Sequence, residues 1–374
     1  MASYYDDFDN GAPRRPRRSV ALYLADLLMG FVTVLTAAAM ILTLLAPYVN
    51  PDRWWGFPVL GLAAPGVYLV TVVLALYWIV RWRWTFACVA LVLVGAGLFK
   101  VTLFYKPEFK RYYGDPKPER GSFVLMTYNV RLFYDDEGES SAGRIARLIA
   151  AHKPDIVCLQ EYQARRAEAA PEFRALSESY SRTSGGREHP DPFQCIWSKY
   201  PILGSGTLDA NASIWADLLI GEDTLRVYCN HLHSTTIKSS DDAFITRHEY
   251  LSDTAREVKL RSIVQRFRAS SVRRAVQVDS IARAIGEVGG PKIVCGDFND
   301  TPMSYVYRTM ADGLTDAFRA CGRGYSHTFR GFYDALRIDY VLVSPQLEPL
   351  TYEVPDEALS DHLPVIVRLK MRRN

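Results

Sequence analysis

The sequence predicts a layered α/β domain preceded by three membrane-spanning helices. Three observations carry this reading. Apolar, strand-like runs alternate loosely with helical stretches from about residue 121 onward, polar side chains recur at the ends of those runs, and the first 105 residues concentrate the apolar excess. At 374 residues the chain is long enough for one large domain and an appendage. Hydrophobic residues make up 49% of it and the mean hydropathy is −0.05, high for a chain without membrane segments.

Apolar stretches at about 20–49, 57–80 and 84–105 each reach the ~20 residues that span a bilayer core. Two more spans after the first argue against a cleaved signal peptide. Asp26 and Lys100 fall near segment ends, where a polar head reaches the interface, and Trp54, Trp55, Trp78, Trp82 and Trp84 cluster at the expected boundaries. Arg14, Arg15, Arg17 and Arg18 precede the first span, Arg81 and Arg83 separate the second from the third, and the first loop holds Arg53 alone. Positive charge stays in the cytoplasm, so 1–19 reads as a cytoplasmic basic tail and everything after residue 105 as non-cytoplasmic. Lys106, Lys110, Arg111, Lys117 and Arg120 pull the other way. Residues 106–120, with three prolines, read as a linker, and the second domain runs 121–374.

Residues 1–105 hold five acidic and eight basic side chains, which leaves 36 of each for the rest. That neutrality argues against a strongly electrostatic nucleic-acid binder. The six cysteines show neither a CxxC pair nor a zinc-like spacing, and no disulfide framework is expected.

Within the second domain, 122–130 reads as a buried strand, 141–152 as a helix with Ile145, Leu148 and Ile149 on one face, and 156–161 as a strand ending in a carboxylate. Strands are expected at 193–202, 212–220 and 225–233, a long helical region at 241–286, and strands again at KIVC (292–295), 337–344 and 362–370. Asn129, Glu161, His231, Asp297 with Asn299, and Asp361 with His362 all lie at or just beyond strand ends. Each alone has a bland reading as a turn, surface or core residue, but strand ends can converge in space. A buried carboxylate such as Asp297 costs free energy unless a cation or reacting group opposes its charge.

The motifs MTYNV, LQE, NHLHS, GDFND, RIDYVLVS and LSDHLPV occur in an order that resembles the endonuclease/exonuclease/phosphatase superfamily, over about 121–372. That group includes deoxyribonuclease I-like nucleases, abasic-site endonucleases, neutral sphingomyelinases and inositol-polyphosphate 5-phosphatases. The resemblance implies a four-layer α/β/β/α sandwich and metal-dependent hydrolysis of a phosphate ester, with Mg²⁺ or Mn²⁺. It implies that Glu161 is the main metal ligand, with Asn129 beside it and Asp361 as a further metal-side carboxylate. His362 would contact the scissile phosphate and help activate water, oriented by Asp339. His231 would hydrogen-bond a phosphoryl oxygen, Asp297 would position or deprotonate the water or assist the leaving group, and Asn299 would steady the phosphoryl oxygens. Nearby Mg²⁺ would then offset the burial of Asp297.

The chain departs from the family at Cys229-Asn230-His231-Leu232-His233, where Asn-Thr-His-Leu or Ser-Thr-His-Leu is usual. His233 reads as a solvent-facing loop histidine rather than a catalytic one, and His327, in SHTF, reads the same way with a substrate contact as the alternative. The basic segment 256–274 reads either as a solvated helix face or as a flap meeting an anionic head group or a bilayer. The expected partners are the bilayer and a phosphate ester, either a phospholipid or sphingolipid head group or a nucleic acid. The alternative to an enzyme is a non-catalytic membrane receptor on the same fold.

Overall fold

A computed structural model describes residues 20–107, 119–184, 193–209, 212–235, 253–331 and 334–372. The predicted basic tail, most of the predicted linker and the first residues of the predicted long helix lie outside the described residues.

Helix α1 (Val20–Leu45) continues into a 3-10 turn at Ala46–Tyr48, and α2 (Phe57–Leu62), α3 (Ala64–Val80) and α4 (Trp84–Val101) follow. Two helices among the described residues are long and apolar enough to cross a membrane, at Val20–Tyr48 and Trp84–Val101. The predicted span 57–80 is corrected: it is two helices, and α3 has only 17 residues. Pro65 sits in the first turn of α3 and has no N–H to continue a preceding helix, so the chain breaks at Ala63. Asp26 does not simply reach the interface; it pairs with Arg81 at 2.8 Å and Arg83 at 3.4 Å, fastening the start of α1 to the α3–α4 turn. Close packing follows from small residues: a Cβ on Gly97 would lie 2.6 Å from the Met40 and Tyr68 side chains.

The second domain is a pair of six-stranded sheets. One runs in the order β10 (Thr315–Asp316), β12 (Asp339–Val343), β9 (Lys292–Asp297), β8 (Asp223–His231), β7 (Ser213–Ile220), β6 (Ile202–Asp209). The other runs β13 (Leu347–Glu353), β14 (Val365–Met371), β2 (Ser122–Asn129), β3 (Ile156–Tyr162), β5 (Phe193–Ser198), β4 (Ser181–Ser184). Their facing sides bury one core that includes Leu125, Cys158, Ile196, Val227, Cys295 and Val341. Outside the second sheet, α5 (Ala142–His152), α6 (Ala164–Ala169) and α7 (Pro171–Ser177) cover Met126, Leu159 and Trp197. Outside the first, the long helix α8 (Asp253–Gly286) and α9 (Tyr305–Met310) cover Tyr228, Val294 and Leu342. The layers are therefore helix, sheet, sheet, helix. The expected strand 193–202 is split, because Lys199–Pro201 turn the chain from one sheet to the other. All six cysteines are free.

The helical unit rests on the first sheet's helix layer. Ala64 and Leu103 join that core, and the short β1 (Tyr105–Lys106) pairs with β11 (Gly324–Tyr325). Arg337, 1% exposed, donates to Asp316 at 2.8 Å and to the Leu103 carbonyl at 3.0 Å, across the boundary between α4 and the domain. A Cβ on Gly61 would come within 2.3 Å of the Met303 carbonyl oxygen, so glycine is what lets α2 seat there.

Candidate active site

Strand register brings the polar residues together. β8 and β9 are parallel with His231 opposite Asp297, and β9 and β12 are antiparallel with Asp297 opposite Asp339. Three side chains from distant parts of the chain thus stand in a row at one edge of the first sheet. The approach of β9 to β8 requires Gly296, whose φ is +121° and where a Cβ would lie 2.1 Å from the Asn230 oxygen. In the second sheet Asn129 ends β2, and a register shift in β3 between Leu159 and Tyr162 re-aims Glu161, which has φ +51°. Ser360 donates to the Asn129 carbonyl at 2.8 Å and holds the segment carrying Asp361 and His362 against the end of β2.

Asn129 links the two sheets: its Nδ2 donates to Glu161 Oε1 at 3.3 Å and to Asp297 Oδ2 at 3.1 Å. Asn299, also at positive φ (+53°), donates its backbone N–H and its side chain to Asp297 at 2.8 and 3.0 Å and a second side-chain bond to the Leu232 carbonyl at 3.0 Å. His362 Nδ1 is 2.9 Å from Asp339 Oδ2, which sets the ring so that Nε2 faces the cleft, 3.7 Å from Asp297. Phe329 packs edge-on against the same ring at 5.1 Å. Burial pushes the Asp297 carboxyl above its usual range, against the pull of His362 and His231. Burial also works against the His362 imidazolium, yet Asp339 and Asp297 outweigh it and raise its pKa to about 10.

Every residue assigned from the sequence borders this cleft or supports one that does. Asp361 stands 3.5 Å from Arg131, so its carboxylate is shared with a guanidinium. His231 Nε2 is buried without a hydrogen-bond partner among the described residues, 3.6 Å from Glu161 and 3.8 Å from Asp297. An orphaned imidazole nitrogen beside a buried carboxylate, whose ion-pair partners among the described residues are both imidazoles, is an arrangement that a divalent cation and an anionic ligand would complete. Two groupings could take a cation. One is Glu161 with Asn129; the other is the buried set Asp297, Asp339 and His362, with ligand atoms within 4.8 Å of one another. In the second, His362 and Asp339 already bond each other. Glu161 keeps its carboxylate partly exposed to the cleft, and hard oxygen donors fit a divalent cation there.

His233 lies in the loop after β8, as expected, but half-buried: its backbone N–H donates to Gln277 of α8 at 2.8 Å and its ring lies 3.3 Å from Arg273, while burial and Arg273 hold its pKa below the usual imidazole value. His327 stacks beside Tyr325 at 6.4 Å. The segment 256–274 does reach the site. A cavity of about 340 Å³ has Glu161, Asp297 and His362 on one side and Ile263, Phe267 and Val59 on the other. Arg274 also lines it, 1% exposed and bonded to the His233 carbonyl at 3.0 Å and Thr235 at 2.9 Å. Val59 and Leu62 of α2 were invisible as site residues in the sequence, for they sit in an apolar stretch a hundred residues before Glu161. A larger cavity of about 570 Å³, under the C-terminal end of α8, contains none of the strand-end groups.

Comparison with known proteins follows this division. A family model described as the endonuclease/exonuclease/phosphatase family matches residues 126–362, and a second, a domain of unknown function (DUF8431), matches residues 26–103. No curated protein matches the chain. Similar solved structures include an endonuclease/exonuclease/phosphatase from Bacteroides vulgatus, at 22% identity over 67% of this chain and 99% of that one, TM-score 0.47. A mannosyl-6-phosphatase from Bacteroides thetaiotaomicron is 17% identical over 66% of this chain and 99% of that one, TM-score 0.47. TDP2 of D. rerio, complexed with single strand DNA product, is 15% identical over 67% of this chain and 99% of that one, TM-score 0.46.

Proposed function

The chain belongs to the endonuclease/exonuclease/phosphatase family, and on that premise we propose that it is a membrane-anchored, Mg²⁺-dependent hydrolase of phosphate esters. The observation that carries the reading is the convergence of strand-end groups on one cleft: Asn129 bridging Glu161 and Asp297, with the Asp339–His362 pair 3.7 Å away.

Glu161 and Asn129 would hold the cation, with Asp361 on the same side. When bound, Mg²⁺ supplies positive charge to the phosphoryl oxygens. His362, fixed by Asp339, contacts the scissile phosphate and helps align and activate the attacking water. Asp297, held by two asparagine amides, positions that water. His231 Nε2 donates to a phosphoryl oxygen as charge develops, and this would satisfy its orphaned nitrogen. Water adds its oxygen to phosphorus, the ester P–O bond breaks, and the water proton ends on the leaving alcohol.

For the membrane, α1 and α4 would cross, with Asp26 pairing to Arg81 and Arg83 at one end while Ala64 and Leu103 meet the domain at the other. Arg81 and Arg83 would lie in the cytoplasm and the domain outside. A C-terminal reporter fusion reads that side directly.

The chemistry is tested with the full chain in detergent, on p-nitrophenyl phosphate and bis(p-nitrophenyl) phosphate. Hydrolysis should require Mg²⁺ and disappear in Glu161→Gln and His362→Ala. Turnover that persists in EDTA, or in both variants, would defeat the proposal. An absence of turnover with retained ligand binding would favour the receptor.

A further inference from the structure

The cleft does not end at the strand-end groups. Leu62 of α2 and Leu336 of the domain line the 340 Å³ cavity and also a second groove of about 500 Å³. That groove runs along the flank of the helical unit, between Thr36 and Ala39 of α1 and Gly66, Val67 and Val70 of α3. Its walls are small or apolar, and a Cβ on Gly66 would meet nothing within 4 Å. On either side of it α1 and α3 turn large apolar residues outward, with Leu35 at 54% and Leu69 at 63% exposure. The catalytic cavity and the groove therefore abut at Leu62 and Leu336, and the groove reaches the face of α1, a helix long enough to cross a membrane.

A second observation concerns α8. Its C-terminal half is buried on the domain, but Val258, Leu260 and Val264 in its N-terminal half are exposed beside Arg256 and Arg261. The same half meets the helical unit where Arg268 lies over the Trp55 ring at 5.7 Å. Apolar and cationic side chains on one helix, next to a tryptophan at a span's end, match the chemistry of a surface that meets anionic head groups.

We propose that the substrate is a membrane lipid carrying a phosphate ester. Its phosphate sits between Glu161 and His362, and a hydrocarbon chain passes Leu62 and Leu336 into the groove between α1 and α3. This rests on the phosphoester reading above and names the substrate class for that site. Hydrolysis follows the same balance: water oxygen to phosphorus, the ester P–O bond broken, the proton to the leaving alcohol. The lipid's hydrocarbon stays in the groove and takes no part.

The test uses the full chain in lipid nanodiscs with Mg²⁺ and two probes, p-nitrophenyl methyl phosphate and p-nitrophenyl dodecyl phosphate, compared by kcat/KM. Burial of a long chain predicts a dodecyl preference of about twentyfold or more. Filling the groove by Gly66→Phe, and independently by Ala39→Phe, should bring that ratio to within about threefold of unity, each variant keeping the wild-type melting temperature. A ratio near one in the wild type, or a preference that survives both substitutions, overturns the inference while leaving phosphoester hydrolysis intact. Failure to cleave either ester overturns the lipid inference, and it sinks both readings when p-nitrophenyl phosphate is also left intact. Cleavage of a single-stranded oligonucleotide faster than the dodecyl ester would identify a nucleic-acid substrate and overturn the lipid.

Discussion

The two walls of the cleft are built by opposite rules. The polar wall comes from strand ends, where register alone sets His231, Asp297 and Asp339 in a row and Asn129 ties them to Glu161. The facing wall is apolar and helical, made by Val59 and Leu62 of the N-terminal unit and by Ile263, Val264 and Phe267 of α8. Side chains on the first wall are held by hydrogen bonds, the orphaned His231 Nε2 excepted; those on the second touch the cavity through hydrocarbon. On our proposal the difference separates two tasks: chemistry falls to the wall within the family match, and substrate choice to a wall two of whose five named residues, Val59 and Leu62, lie outside residues 126–362.

The sharpest break of this comparison is on the polar wall. His362→Ala should lower turnover of the soluble aryl diester by about a thousandfold or more, and lower the melting temperature as well, because buried Asp339 loses its partner. The steady-state rate and a thermal melt together check it. Next comes the joint between the walls. Arg337→Met leaves Asp316 buried without its cation, and removing one partner of such a pair costs about 3–5 kcal/mol. Chemical denaturation should register that loss, and an unchanged midpoint would contradict it. Gly61→Val acts on the helical wall alone. With its Cβ directed at the Met303 oxygen, it should lift α2 away and reduce the dodecyl-over-methyl ratio about tenfold, moving the methyl-ester rate far less. Smallest is His233→Ala. Its ring is turned to Arg273 of α8, so the rate should change by less than about twofold, and a loss near that of His362→Ala would place it in the reaction.

The same division explains what the sequence disclosed. GDFND and SDH were legible because a carboxylate or imidazole at the end of an apolar run is costly without a partner, and several of them recurring at strand ends points to convergence. The helix at Ala142–His152 and the apolar strands showed through their periodicity. β6, with Gly204 and Gly206 and alternating exposure, and β13, an edge strand, carry weak apolar patterns, so neither showed. The break at Ala63 was hidden because Gly61 and Pro65 sit inside an otherwise apolar run, and the meaning of Gly61 depends on Met303, far along the chain. For the same reason the apolar wall could not be read: hydrocarbon facing a catalytic cleft and hydrocarbon facing a lipid look alike in one dimension. The long basic helix was seen, and its arrival at the cleft was one of two readings left open; only the packing of Phe267 and Arg274 decides between them.

The most direct test of the central claim, that these strand-end groups gather around one cation, is electron paramagnetic resonance of Mn²⁺ titrated into the full chain. The account predicts a saturable Mn²⁺ site that Mg²⁺ displaces, lost in Glu161→Gln and kept in His233→Ala. A site that persists unchanged in Glu161→Gln, or no saturable site in the wild-type chain, would contradict it.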